Sequence, residues 1–584
     1  MILIVERRLP VKKFAFRRPN SRIPIAAMRS LFCALPLYMA IAPVLAQQAP
    51  QVTPRDMRPD IPVVPPTVAP QPAPPTAPEN AETLFVQLAN IKVEDGFTIL
   101  EADTEALISP VRGQRISVAT FYSLAEAIEA VYRDAGFALV RVTVPPQKVN
   151  DGGTLRLVVV DGFIERIDLT AVPHLAQARV AALLQPVVGH RHLHSDTLER
   201  ALTLADRTPG MTLRSTLQPG TATGGVVLVL DGQHAPVAAT LAADNHLSDS
   251  LGPWQTNVQV SANQLLGLGE QVYINASSGA DLPTAYRDTA RRRVFGAGLI
   301  IPIGGNGLLL NPEFTTSNSM PSPQTFIPNT RSQFQRTSLR LIYPLILNRM
   351  QELTITGTFD ASSQTDTLPD FAYTLDQDRL RVARIAASWS RTIDEQARLN
   401  IGGTLSKGTN GLGARTQNDA IDSGTPLSRI GANPGFVKIE INFAYDTPAP
   451  YGIRGRTSLR AQKALNGVLP GAELFSLDGE DALSGFRSGT LSDDGGVTLR
   501  QEFSRPFQLP LAKGALTMAP YVFAAGGKAS TKLSASARGF SKSYGVGLRA
   551  GSGIASLALE FDRSTSSPTN LNGNQLFVKV QVQF

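Results

Sequence analysis

The sequence predicts two small α+β domains followed by a 16-stranded antiparallel β-barrel that spans a membrane. Three observations predict it. Period-two alternation of apolar and polar residues recurs from about residue 233 to the end. Two tandem strand–helix–strand–strand patterns precede that region. No run of 18 apolar residues follows residue 46, so any membrane crossing there must be made by strands.

The last ten residues carry the barrel signal most clearly. Leu576, Val578, Val580, Val582 and Phe584 alternate with Gln575, Lys579, Gln581 and Gln583, and Phe577 is the exception. About ten alternating residues is the length of a tilted membrane-crossing strand. Its greasy face suits lipid and its wet face suits an aqueous lumen.

Charge first suggests, and then excludes, nucleic acid as a partner. The formal net charge is +7. Residues 1–46 hold Arg7, Arg8, Lys12, Lys13, Arg17, Arg18, Arg22 and Arg29 against Glu6, so the rest of the chain is neutral. That segment reads as an export signal. Arg29 precedes the apolar core Leu31–Val44, and Val44-Leu45-Ala46 is a small-residue cleavage pattern. Met28 opens a complete signal, which makes residues 1–27 an upstream extension. The single cysteine, Cys33, lies inside the signal, so the mature chain is expected to use no disulfide, thiol chemistry or cysteine-bound metal.

Residues 47–83 follow as a linker. Eleven prolines fall between Gln47 and Pro78, which forbids a stable helix and gives an extended, semi-rigid tether. The first α+β unit spans 84–161. Phe85–Val93 is its first strand. Ser117 caps a helix whose apolar positions are Phe121, Leu124, Ala125, Ile128, Val131 and Tyr132, and Gly136 stops it. Strands Ala138–Val144 and Leu155–Val160 complete the unit. The second unit spans 162–232. It reads as strand Ile164–Leu169, a short helix at Val180–Leu184, a helix Leu198–Ala205 opened by a capping-box pair Asp196/Glu199, and strands Met211–Gln218 and Val226–Leu230.

From 233 to 584 helical periodicity vanishes. Val437, Ile439, Ile441 and Phe443 lie opposite Lys438, Glu440 and Asn442. Val497, Leu499 and Phe503 lie opposite Arg500 and Glu502, and Leu559 and Phe561 lie opposite Glu560 and Asp562. Charges at that density are ruinous in a dry sandwich and ordinary in a hydrated lumen. Sixteen strands fit the region, with short connections at Gly304–Gly307 and Gly551–Gly553 and long ones at 280–292, 407–434 and 468–496. A barrel of that size encloses a channel unless something fills it.

His190, His192 and His194 form a possible metal-binding trio, but no further ligand stands beside them, and the segment reads as a solvated loop. No serine has glycine two residues away on both sides, and no phosphate-cradling glycine loop follows a strand. Neither an enzyme nor a cofactor is indicated. The loop Asp481–Gly489 combines an aromatic and an arginine inside a long connection, either as a surface tip or as a loop folded back into the lumen.

Several motifs together resemble the haemolysin secretion/activation proteins, the outer-membrane transporters of two-partner secretion. The first unit carries Val131-Tyr132, Gly136-Phe137, Val144-Pro145-Pro146-Gln147 and Val160-Asp161-Gly162. The second carries Leu198-Glu199-Arg200-Ala201-Leu202, Pro209-Gly210-Met211 and Leu217-Gln218-Pro219-Gly220. The resemblance makes them tandem POTRA domains. Gly267-Leu268-Gly269-Glu270-Gln271-Val272 is similar to a barrel turn of that family.

Two departures stand out. The family's sixth extracellular loop usually has Val-Arg-Gly-Phe/Tyr, and this chain has Leu483-Ser484-Gly485-Phe486. The family's partner strand has Phe-x-Asp-x-Gly, and this chain has Phe523-Ala524-Ala525-Gly526-Gly527. Losing one member of that pair would strand a charge, and losing both is the neutral exit. The expectation is a loop six held in the lumen by Gly485 and Phe486, with Arg487 taking over against another acidic residue. The family's amino-terminal plug helix is not expected from so proline-rich a linker.

The resemblance implies an outer-membrane translocator, monomeric, with its POTRA domains in the periplasm. Its partner would be a large unfolded exoprotein that pairs with a POTRA strand edge and threads the pore. The lumen charges Arg384, Lys438, Glu440, Arg500, Glu502, Arg549 and Glu560 would keep that chain from sticking. An outer-membrane assembly factor and a passive porin-like channel are the competing readings. The first usually carries more POTRA units, and the second leaves the periplasmic units unexplained.

Overall fold

The computed structural model describes residues 55–59, 77–137, 139–279, 286–322, 328–394, 397–511, 514–532, 539–567 and 571–584. The export signal lies outside the described residues, as does most of the linker.

The first unit runs β1 (Phe85–Glu94), α1 (Glu101–Ile108), β2 (Arg115–Ser117), α2 (Val118–Asp134), β3 (Arg141–Thr143) and β4 (Gly153–Val160), with sheet order β2-β1-β4-β3. Ser117 accepts a hydrogen bond from Thr120 N and caps α2. One face of α2 buries Phe121, Leu124, Ile128 and Tyr132 against Leu88, Leu155 and Leu157. Each such side chain contributes about 1.5–3 kcal/mol on burial. Gly136 (φ 91°) makes the left-handed step that ends the helix. Helix α1 and strand β2 were not legible in sequence. Only Thr104 and Ile108 of α1 are buried, too few to print a helical period. Strand β3 is shorter than the alternation of 138–144 suggests.

The second unit runs β5 (Phe163–Ala171), α3 (His174–Leu184), α4 (Ser195–Asp206), β6 (Met211–Pro219) and β7 (Gly225–His234), in sheet order β5-β7-β6. The expected capping box is absent. His194 takes the cap position without a side-chain hydrogen bond, and Asp196 falls inside the first turn, where it faces the positive end of the helix dipole. The histidine trio is dispersed: His194 packs on Phe137 (centroids 4.7 Å apart), and His192 lies 3.1 Å from Asp161.

The barrel has β8 (Val237–Asp244), β9 (Gln255–Asn263), β10 (Gln271–Gly279), β11 (Arg292–Ile303), β12 (Leu308–Ser319), β13 (Arg331–Leu347), β14 (Gln351–Leu368), β15 (Tyr373–Thr392), β16 (Arg398–Gly408), β17 (Val437–Ala449) and β18 (Ile453–Asn466). After loop six come β21 (Gly495–Ser504), β22 (Phe507–Pro510), β23 (Ala515–Ser530), β24 (Phe540–Ser552), β25 (Ala555–Ser567) and β26 (Asn572–Gln583). Both β21 and β22 pair with β23 and form one strand interrupted at Pro506, which has no amide hydrogen to donate. The barrel is therefore closed, antiparallel and 16-stranded. Strand β26 meets β8 over the ladder from Lys579↔Asp244 to Gln583↔Thr240.

Leu339, Leu341, Ile385, Leu405, Ile441, Leu499, Val546, Phe561 and Leu576 are exposed on the outer face, as a lipid-facing surface requires. Phe577 departs from the alternation because it points inward and stacks on His246, with ring centroids 4.5 Å apart. The second unit is bolted to the barrel's short-turn end. Arg179 donates to Gly304 O, Arg200 to Pro344 O, and Arg207 makes a two-pronged bond to Glu352 at 2.7 and 2.8 Å. Glu270 holds the Gly267–Gly269 turn by accepting from Leu266 N and Leu268 N.

Candidate functional site: loop six and the lumen

The connection 467–494 leaves β18, turns inward and fills one side of the lumen. Its own hairpin, β19 (Phe475–Ser476) with β20 (Ser492–Asp493), stiffens it. The Asp478 carboxylate accepts from Leu491 N and Gly489 N and ties the two arms together. Phe475, Leu477, Leu483 and Phe486 form an apolar knot against Ala525 on β23.

The glycines of this contact are explained by space. A Cβ at Gly485 would lie 3.0 Å from the Cβ atoms of Ser543 and Ser564 on the wall. A Cβ at Gly527 would lie 3.0 Å from Leu483 Cδ1. Ser484 is buried, and its hydroxyl oxygen accepts from Arg500 Nη1 at 2.5 Å. Arg500 lies over the Phe523 ring, 3.7 Å from its centroid. Phe523, Ala525 and Gly527 thus share the β23 face that meets loop six.

Arg487 donates to Asn245 O and Gln575 Oε1 and pairs with the acidic Asp249 at 3.0 Å, beside the junction of β8 and β26. The cation that meets Ser484 is Arg500, which projects from the wall strand β21.

The lumen charges fall into two paired clusters rather than an open mixed lining. In one, Arg384 bridges Asp360 (2.9 Å) and Glu473 of loop six (2.6 Å), and Lys438 pairs with Glu473 at 2.9 Å and Glu440 at 3.6 Å. In the other, Arg500 pairs with Glu560 at 2.8 Å and Glu502 at 3.2 Å, Arg549 also pairs with Glu502, and the Tyr521 hydroxyl donates to Glu560. Loop six covers both, which is why Lys438 and Arg500 are buried. A third network was invisible in sequence: Glu313 on β12 is bound by Arg336, Arg340 and the Tyr273 hydroxyl. Its members lie on three strands, β10, β12 and β13, and the alternation marks them only as inward-facing.

The linker supplies the least expected element. Arg55–Pro59 lies inside the lumen without helix. Arg55 pairs with Glu440 at 2.7 Å, and Met57 is buried among Tyr273, Val294 and Ile300.

Residues 224–550 match the profile of the "Haemolysin secretion/activation protein ShlB/FhaC/HecB" family, and residues 86–162 match a ShlB-type POTRA domain. The chain belongs to the haemolysin secretion/activation protein family. It is a two-partner secretion transporter of the outer membrane, with its POTRA region in the periplasm. Hemolysin transporter protein ShlB of Serratia marcescens is 24% identical over 73% of this chain and 72% of its own length. Outer membrane transporter CdiB of Escherichia coli strain 536 is 22% identical over 72% of this chain and 70% of its own. The solved structure of CdiB from Escherichia coli superposes with a TM-score of 0.67 at 20% identity, covering 96% of this chain and 98% of that one. CdiB from Acinetobacter baumannii gives 0.60 at 16% identity, covering 97% and 100%. Those likenesses establish the shared fold.

Proposed function

We propose that this transporter captures one large unfolded exoprotein on the free edge of β6 and passes it through the lumen as an extended chain. The position of β6 carries this reading. Both edges of the first unit's sheet are three-residue strands, too short to hold a peptide, whereas β6 is nine residues long. Among the described residues its outer side is engaged only near its start, where Met211 N donates to Thr208 O and Leu213 N to the Asp206 carboxylate. No strand pairs with its outer side among the described residues. An added strand gains main-chain hydrogen bonds with little regard to sequence, which suits a long client.

The edge also starts at the pore. Met211 follows Pro209-Gly210, and Pro209 O accepts from Gln264 Nε2 of the barrel. Asp206–Thr212 line a cavity of about 710 Å³ at the barrel mouth, which Gln583 and Phe584 also touch. A chain paired to β6 is thereby delivered to the lumen entrance. Folding of the client outside the cell supplies direction, since no nucleotide-binding loop is present in the sequence.

The test is a pair of substitutions at Leu217, whose amide lies on β6. Leu217→Pro removes an edge N–H and should abolish secretion with the barrel still assembled. Leu217→Ala keeps the N–H, loses the same packing and should still secrete. Equal secretion by both variants would count against the edge. Deleting the gene and comparing secreted proteins identifies the client.

A further inference from the structure

We propose that Gln259, Glu313 and Arg340 form a peptide-backbone site on the lumen wall, held here by the chain's own Arg55–Pro59 and used in turn by an extended segment of the exoprotein. The client half of this statement rests on the secretion reading above.

The contacts are to main chain. Met57 N donates to Glu313 Oε2 at 3.0 Å. Met57 O accepts from Gln259 Nε2 at 3.3 Å. Arg55 O accepts from Arg340 Nη2 at 2.7 Å. In an extended chain the polar groups of residues i and i+2 point to the same side, so one edge of the segment faces the wall. The wall answers with side chains because its own backbone groups are committed to the barrel ladders. Such recognition reads an extended backbone and not a particular sequence.

The site is built to persist when empty. The Glu313 side chain has no exposed surface, and it is bonded by Arg336 at 3.2 Å, Arg340 at 3.1 Å and the Tyr273 hydroxyl at 2.9 Å. Two guanidiniums and a phenol hydroxyl hold the carboxylate without help from the peptide, which fixes its position in advance.

One side-chain pocket accompanies the backbone contacts. Met57 sits over Gly296, where a Cβ would come within 2.9 Å of Met57 Cγ. Glycine weakens a strand interior and marks a place where another chain approaches closely. Tyr273, Val294 and Ile300 supply the apolar walls. Of the segment's charges, Asp56 and Arg58 pair with each other at 2.6 Å, and Arg55 reaches away from the pocket to Glu440 at 2.7 Å. The ligand class is thus an extended peptide with one unbranched apolar side chain, and Arg55–Pro59 acts as its stand-in.

The test uses the purified full-length protein in planar bilayers, with a synthetic Arg-Asp-Met-Arg-Pro peptide as probe. Met57→Gly should raise the open fraction, and the added peptide should return it to the closed level. Filling the pocket with Gly296→Val in the Met57→Gly background should abolish that block. If the filled pocket impairs assembly, Gln259→Ala is the second variant, and loss of one neutral hydrogen bond should weaken the block about 3- to 10-fold. A Met57→Gly channel that the peptide does not block, or block unchanged by both wall variants, overturns the site. Block with no exoprotein secreted by the native strain leaves the site standing and removes the secretion reading; secretion without block removes the site alone.

Discussion

Arg500 on β21 donates to Ser484 on loop six at 2.5 Å, joining the barrel wall to the loop that leads into that same strand. The guanidinium also neutralises Glu502 and Glu560, so a single side chain holds both the wall charges and the loop. Removing it is expected to be costly. Arg500→Ala leaves buried Glu560 without a cation, while Glu502 keeps Arg549, and should lower stability by about 3–5 kcal/mol. Ser484→Ala removes one hydrogen bond, about 1 kcal/mol. Ser484→Arg puts a second guanidinium beside Arg500 and should be worse than Ser484→Ala. Heat-modifiability of the folded barrel in detergent gels ranks the three; tolerance of Ser484→Arg equal to Ser484→Ala would contradict the arrangement.

Tyr521 lies across Gly547 on the neighbouring strand, where a Cβ would stand 2.2 Å from Tyr521 Cζ, and its hydroxyl reaches Glu560 one strand further. Tyr273, Gly298 and Glu313 repeat this geometry on β10, β11 and β12. Gly547→Ala should cost about 1–3 kcal/mol through displacement of the ring. In a Tyr521→Ala background the same change should cost much less. A double-mutant cycle with no coupling would show that the ring tolerates the methyl group.

Phe486 and Ala525 belong to one apolar cluster although the first is on loop six and the second on β23. Cysteines at these two positions should be joined by a short bifunctional reagent in intact cells. Labelling of residue 486 solely from outside the cell would refute a loop seated in the lumen.

The periplasmic region carries its own acid sensitivity. The Arg156 hydrogen bond, helped by Lys92, holds the Glu94 carboxyl down at about 2, against 4.5 ordinarily. A depressed folded-state value means that the stabilisation is complete above the unfolded value of 4.5 and is lost as pH falls toward 2. Wild type should therefore exceed Glu94→Gln in resistance to denaturant at pH 7. The difference should shrink between pH 4.5 and 2. Both side chains are solvent-accessible, so the effect is small and should weaken in salt. A gap that stays constant across that range would rule out this pair as its source.

The barrel was legible because a wall between lipid and water writes itself residue by residue. Leu499 outward and Arg500 inward need no partner to declare their faces. The helix α2 was legible for the same reason, since its buried stripe repeats every three or four residues. Helix α1 was not, because its contact with the core is confined to one edge.

Alternation along the chain could establish which side chains face inward, how many strands there are, and that a glycine–aromatic loop of unusual composition interrupts them. It could not say which inward groups meet. Arg55 and Glu440 are 385 residues apart, and Arg487 and Asn245 are 242 apart. Such pairs depend on how far each loop turns back and on how the cylinder closes, and closure is a property of all sixteen strands together. Facing is local chemistry, whereas pairing across a lumen is geometry that exists only after the sheet has become a ring.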